Sequence, residues 1–241
     1  MVSKNQIKLI ASLHQKKCRN EHSMFIAEGI KVINELINYG FEAVFVFVID
    51  NSVKINYKAK EVILLSDLKK ISALKTPNDS LAVFRIPSQI KVKNSGLIVA
   101  LDNVKDPGNL GTIIRLCDWF GVNQLICSTE TVDMYNPKVI QATMGSIARI
   151  SINYLDLTDF IKNSNLPVFG AFMDGNNVYK TTLPQNAIIV LGNEANGISK
   201  TIENLILNRI SIPQFGERQE TESLNVAMAT SIFLSEFKRN S

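Results

Sequence analysis

Asp102-Asn103-Val104-Lys105-Asp106-Pro107-Gly108-Asn109-Leu110-Gly111-Thr112-Ile113-Ile114-Arg115 decides the reading of this chain. It follows the apolar run 97–101, which reads as a buried strand. It ends in a segment whose apolar positions Leu110, Ile113, Ile114 and Cys117 recur at helical spacing. Asp106-Pro107-Gly108 is a tight turn between the two, and Asn109 is placed to cap the helix. A strand, a small-residue turn and a helix start make a ligand-facing corner in α/β sheets. Arg115 stands two turns into an otherwise apolar helix, where core packing does not explain it and a surface ion pair would.

Downstream the same alternation continues. Strands are expected near 97–102, 124–128, 150–153, 167–172, 187–191 and 209–212, and helices near 110–120, 137–146, 156–163, 199–206 and 223–238. Such alternation predicts a mostly parallel sheet with helices on both faces. Upstream, residues 1–86 read as a small separate α/β module. Its expected elements are a helix at 5–17, strands at 24–27, 43–49, 62–65 and 81–86, and helices at 30–39 and 67–74. Residues 87–95 are polar and basic and lack core spacing, so they read as a linker to a second domain over 96–241.

Charge is unevenly placed. Residues 1–90 hold 13 Lys and Arg against 8 Asp and Glu, while 91–241 hold 13 against 14. Lys4, Lys8, Lys16, Lys17 and Arg19 concentrate the excess near the start, and Lys16, Lys17 and Arg19 are candidates for neutralising phosphates. No apolar stretch approaches the roughly 18–20 residues that span a bilayer, and the opening residues lack the apolar core of a secretory signal. Three cysteines without framework spacing suggest free thiols, hence a cytoplasmic protein with no membrane partner. His14, Cys18 and His22 would share a helix face, but residues 20–23 read as a helix end and no fourth ligand is apparent, so no metal is expected. Both histidines lie near the start, which argues against a hydrolase triad.

Two further loops are built like the first. Val190-Leu191-Gly192-Asn193-Glu194-Ala195-Asn196-Gly197-Ile198-Ser199 leaves a strand directly. The other runs from Ile212-Pro213 to Ser223-Leu224-Asn225-Val226-Ala227, again strand into helix, with Ser223 a candidate cap and Asn225 further in. Strand ends converging on one side of a parallel sheet make a cleft. Taken in order, Asn109-Leu110-Gly111-x-x-x-Arg115, Leu191-Gly192-Asn193-Glu194-x-x-Gly197-Ile198 and Ile212-Pro213 … Ser223-Leu224-Asn225-Val226 resemble the three motifs of the SpoU (TrmH) family of RNA ribose 2′-O-methyltransferases. Lys16-Lys17-x-Arg19 and Phe25-x-x-Glu28-Gly29 resemble that family's small RNA-recognition domain.

The resemblance implies a SPOUT domain with a parallel sheet and a deep trefoil knot, preceded by an L30e-like RNA-binding module. It also implies S-adenosylmethionine as cofactor, a homodimer, and structured RNA as substrate; ribosomal and transfer RNA enzymes share these motifs, and the appended basic domain points to ribosomal RNA. By position, Arg115, Asn109, Glu194, Ser223 and Asn225 would serve catalysis, while Leu191, Gly192, Asn193, Gly197, Ile212 and Leu224 would hold the cofactor. The stretch Gln214 to Glu222 is longer and more polar than short family versions. A transfer RNA enzyme, a non-catalytic RNA-binding or ribosome-assembly protein of the same fold, and a nucleotide-binding oxidoreductase are the alternatives.

Overall fold

The computed structural model describes residues 2–215 and 223–239. They form two compact units, Met1–Ser88 with Asp133–Arg149, and Gln89–Val132 with Ile150–Ser241.

In the first unit, α1 (Lys4–Ser12) opens with a capping box in which Ser3 accepts from the Gln6 amide and Gln6 reaches back to the Ser3 amide. Then come α2 (Lys16–His22), β1 (Met24–Glu28), α3 (Ile30–Asn38), β2 (Ala43–Val48), β3 (Glu61–Val62), α4 (Leu65–Ile71) and β4 (Ser80–Arg85). The sheet order is β1-β4-β2-β3, with β4 antiparallel to both neighbours and β3 a two-residue parallel edge. The strand expected over 62–65 is therefore shorter and starts earlier, because Leu65 already belongs to a helix.

The single helix expected at 5–17 is two helices broken at Leu13–Gln15. Arg19 explains the break. Its side chain is 2% exposed, and its guanidinium donates to the carbonyls of Leu13 and His14, both at 2.9 Å, and to Asp133. Arg19, a candidate phosphate contact by its place in a basic run, is thus buried and paired within this unit. Lys16 and Lys17 remain exposed in the first turn of α2. His14 sits in the break and donates to the Ile71 carbonyl, so it shares no helix with Cys18 and His22.

A linear reading assigns all of 96–241 to one domain, yet residues 133–149 group with the first unit. This excursion contains α6 (Pro137–Thr143) and ends in a short 3₁₀ turn, Ser146–Ala148. Asp133 holds Arg19, Tyr135 packs its ring 4.6 Å from that of Phe25, and Arg149 pairs with Glu35. Buried charge pairing and aromatic packing leave no trace in local periodicity.

The second unit runs β5 (Leu97–Leu101), α5 (Pro107–Trp119), β6 (Gln124–Cys127), β7 (Ser151–Tyr154), α7 (Leu157–Lys162), β8 (Val168–Asn177), β9 (Ala187–Leu191), α8 (Lys200–Glu203), β10 (Asn208–Ser211) and α9 (Val226–Lys238). Its six strands are all parallel, in the order β10-β8-β9-β5-β6-β7. Every residue of β5 and β9 is buried, as a parallel sheet covered on both faces requires. β8 is longer than expected and keeps β10 beside it through a register shift at Arg209/Ile210. Gly175 permits the close approach, since a Cβ there would lie 2.5 Å from the Ile210 carbonyl carbon. No helix among the described residues is long and apolar enough to cross a membrane.

This packing can be checked at two points. Arg19→Met leaves the Asp133 carboxylate without its cation and two carbonyls without their donor, and should cost about 3–5 kcal/mol in urea unfolding, where an exposed pair would cost under about 1. Burial pushes the Cys117 thiol up to about 12 and that of Cys127 still further, while Cys18 is only half-buried. A disulfide reagent at pH 8 should therefore titrate Cys18 alone in the native protein and all three thiols in denaturant.

Candidate active site

The three loops leave the C-terminal ends of β5, β9 and β10, the edge where parallel sheets open their clefts. At the first, Asp106 and not Asn109 is the helix cap: α5 begins at Pro107, and the Asp106 carboxylate accepts from the Asn109 amide at 2.8 Å. Proline at the first helical position has its φ preset and lacks the N–H that would be unpaired there. Asn109 is therefore third in the helix, and its side chain is free for other partners.

Those partners come from the other two loops. Asn109 Nδ2 donates to Glu194 Oε1 at 2.7 Å, and Asn109 Oδ1 accepts from Asn225 Nδ2 at 2.9 Å. Asn225 is the N-cap of α9, its Oδ1 accepting from the amides of Ala227 and Met228 at 3.0 and 3.3 Å. It lies at the helix start, not a turn in, and Ser223 lies before the helix. The orientation of both amides follows from chemistry. Two backbone N–H groups demand an oxygen from Asn225, which leaves its NH₂ for Asn109. Asn109 must answer with oxygen and present its own NH₂ to the carboxylate.

The second loop is a tight hairpin. Asn193 and Gly197 exchange backbone hydrogen bonds of 2.9 Å each way, and Asn193 Oδ1 accepts from the Ala195 amide. A Cβ on Gly192 would lie 2.1 Å from the Gly197 carbonyl carbon, so only glycine fits. The tail of β5 fastens this hairpin at both ends. Asp102, buried, accepts from the Ser199 amide at 2.7 Å, and the Asn103 carbonyl accepts from Asn193 Nδ2 at 2.7 Å. Asn103 does so from a left-handed backbone, φ 62°, which asparagine tolerates better than most residues.

Beside these loops lies a cavity of about 630 Å³. Leu191, Gly192, Asn193, Gly197, Ile212 and Leu224 all line it, as do Glu194 and Ser223. β8 adds Ala171, Phe172 and Met173, a wall that nothing in the sequence motifs signalled. Asp102, Asn103 and Asp106 are likewise supports that motif spacing did not single out. Arg115 is not among the lining residues. It is exposed on α5, with no hydrogen bond or ion pair among the described residues. Of the polar stretch 214–222, residues 216–222 lie outside the described residues.

Residues 96–235 match the model of the SpoU rRNA methylase family. The chain belongs to that family. Residues 4–82 match the MRM3-like substrate binding domain, so both parts of this SpoU protein are covered. The chain is 29% identical to the 23S rRNA (guanosine(2553)-2′-O)-methyltransferase RlmP of Bacillus subtilis, across 96% of each protein. Among solved structures, a protein assigned to the TrmH family of RNA methyltransferases from Porphyromonas gingivalis superposes over 100% of both chains with a TM-score of 0.92 at 37% identity. An AdoMet-bound rRNA methyltransferase from Sinorhizobium meliloti superposes over 99% of this chain and 97% of its own, with a TM-score of 0.85 at 29% identity.

The hairpin gives the clearest mutational prediction. Gly192→Ala forces its two arms apart and should cost about 1–3 kcal/mol in thermal unfolding. Ala195→Ser, at the exposed tip, should leave the transition within experimental error.

Proposed function

We propose that this protein transfers a methyl group from S-adenosylmethionine to a ribose 2′-hydroxyl of structured RNA, with large-subunit ribosomal RNA as the substrate. The observation that carries this reading is the Glu194–Asn109–Asn225 chain, which ties all three motif loops together at a cavity lined by Leu191, Gly192, Ile212 and Leu224. The residues present fit the cofactor. The volume lies within the range of roughly 300–1,000 Å³ that accommodates small molecules. Its wall pairs apolar side chains suited to an adenine with glycine-rich backbone and the Glu194 carboxylate suited to a polar, positively charged end. The full-length likeness to a 23S rRNA enzyme favours ribosomal over transfer RNA.

When bound, the cofactor supplies a methyl already activated by its positive sulfur. The ribose hydroxyl is a poor nucleophile, and aligning it is the protein's task; orientation is worth roughly 7–11 kcal/mol in favourable model systems. Arg115 is the residue for this. Its guanidinium binds a phosphate with two parallel donors and stabilises negative charge growing on the neighbouring 2′-oxygen. Arginine resists deprotonation, so it acts as stabiliser and not as general base. Asn109 and Asn225 hold Glu194 in place, and Ser223 on the cavity wall contacts substrate.

Because Arg115 stands off the cavity of its own chain, the reading includes a homodimer in which a second copy brings its arginine to the site. Its support is the face of α5 and α9 where Leu116, Trp119, Phe120 and Ile232 line a shallow cavity, with Trp119 84% exposed. The trefoil knot and a cytoplasmic location, in keeping with three free cysteines, belong to the same reading.

The test is single-turnover methylation of deproteinised ribosomal RNA by Arg115→Lys. The rate should fall about 10²–10³-fold, the scale of losing one charge-stabilising donor, with S-adenosylmethionine affinity unchanged. A near-wild-type rate overturns the assignment.

A further inference from the structure

The motif loops occupy one edge of the parallel sheet, and the opposite edge carries a second cavity, of about 600 Å³. Its lining comes from the starts of strands: Gly96 and Leu97 at β5, Asn123 and Gln124 at β6, Ser151 at β7, and Asn186 just before β9. Three cations also line it: Lys91 and Lys93 from the linker and Lys238 from the last turn of α9. Among the described residues none of the three has an ion-pair partner and no carboxylate lines the cavity. This is not the general character of the C-terminal region, where residues 91–241 hold 13 basic and 14 acidic side chains. A lysine at a helix C-terminus is expected from the helix dipole, which accounts for Lys238. It does not account for Lys91 and Lys93, which are on no helix.

The backbone of Lys93 is also held in place. Gln124, itself buried, donates through Nε2 to the carbonyls of Lys93 and Ser95 at 2.7 and 3.3 Å and accepts from the Lys93 amide at 2.6 Å. Next to it the Gly96 amide donates to Asn186 Oδ1 at 2.7 Å. Both backbone polar groups of Lys93 are thus clamped to the sheet by one buried side chain. A loose linker would need no such fastening. Pinning the backbone reduces what must be ordered when a ligand arrives.

We propose that this cavity is a second RNA contact surface, in which Lys91, Lys93 and Lys238 engage backbone phosphates of the substrate away from the nucleotide being methylated. The inference rests on the RNA-methylating reading above. Unpaired cations with neutral amide and hydroxyl neighbours suit a phosphodiester chain, because amides and hydroxyls hydrogen-bond phosphate and sugar oxygens while no carboxylate repels them. Such contacts add affinity without reading sequence.

The experiment measures binding of deproteinised large-subunit ribosomal RNA as a function of salt, for the wild type, for K91Q/K93Q/K238Q and for K91R/K93R/K238R. Removing one lysine–phosphate interaction should reduce affinity about four- to sixfold near 0.15 M salt, so the glutamine variant should bind on the order of 10²-fold more weakly, with its salt slope smaller by about 2–3. The arginine variant should bind like wild type. S-adenosylmethionine affinity, and the single-turnover rate at saturating RNA, should be unchanged in both. Glutamine-variant affinity within twofold of wild type overturns the proposal. So does weakened binding with an unaltered salt slope, since the interaction removed would then not be ionic. A wild type that methylates RNA while the variants match it defeats this surface alone. A wild type that neither binds nor methylates RNA defeats the underlying reading as well.

Discussion

The site depends on two asparagine amides that each have one end committed before the other is used. The first turn of α9 needs an acceptor, and Asn225 supplies its oxygen; its NH₂ then has one direction left, toward Asn109. Asn109 is third in α5 only because Asp106 has taken over the cap, and its own NH₂ must point at Glu194. A helix terminus thus dictates, through two amides, where a carboxylate on a third loop sits. One link is a neutral amide pair and the other is assisted by the carboxylate charge, and the polarity admits one arrangement. That is how side chains distant in sequence, exposed and therefore weakly restrained by packing, come to hold a defined geometry.

The chain would be of little use if the hairpin carrying Glu194 could move. It is held by a division of labour between residue types. Gly192 and Gly197 let the arms meet at backbone distance, Asn193 knits the turn with its oxygen, and the tail of β5 grips both ends through Asp102 and the Asn103 carbonyl. Asn103 carries a cost for this. Its backbone is left-handed where its carbonyl meets Asn193, and its own side-chain oxygen is buried with no hydrogen-bond partner among the described residues. An unsatisfied buried acceptor beside a strained backbone is what stored local strain looks like, and such strain concentrates around functional loops.

What the sequence disclosed follows from what is local. Apolar periodicity located β5, β6 and β9 to within a residue, because every residue of these central strands is buried. The loop residues were legible because small and polar residues after an apolar strand have few other uses. What local pattern did not show shares one cause, partners far away in the chain. Arg19 sits in a basic run, but its burial depends on Asp133, over a hundred positions later. Residues 133–149 read as part of the alternating C-terminal pattern, while their packing against β1 decides where they belong. Asn109 and Asp106 are both good caps by type. Only the proline between them, which starts the helix early, settles the choice in favour of Asp106.

Removing Arg19 from the set of phosphate-binding cations changes how recognition must be distributed. Of the three basic residues grouped at the start of α2, two are exposed, and two lysines alone would give a phosphate chain only a weak, salt-sensitive grip. A catalyst that orients one hydroxyl among thousands of nucleotides needs residence time as well as discrimination, and non-specific phosphate contacts supply the first without disturbing the second. The lysines at the far edge of the sheet answer that need. Lys93 comes from backbone fixed by Gln124, in a region where 13 basic residues stand against 14 acidic ones, so a phosphate chain drawn there is drawn to one place. With affinity supplied by surfaces remote from the loops, the polar chain through Asn109 is left to the one demand that tolerates no slack, the geometry around the reacting oxygen.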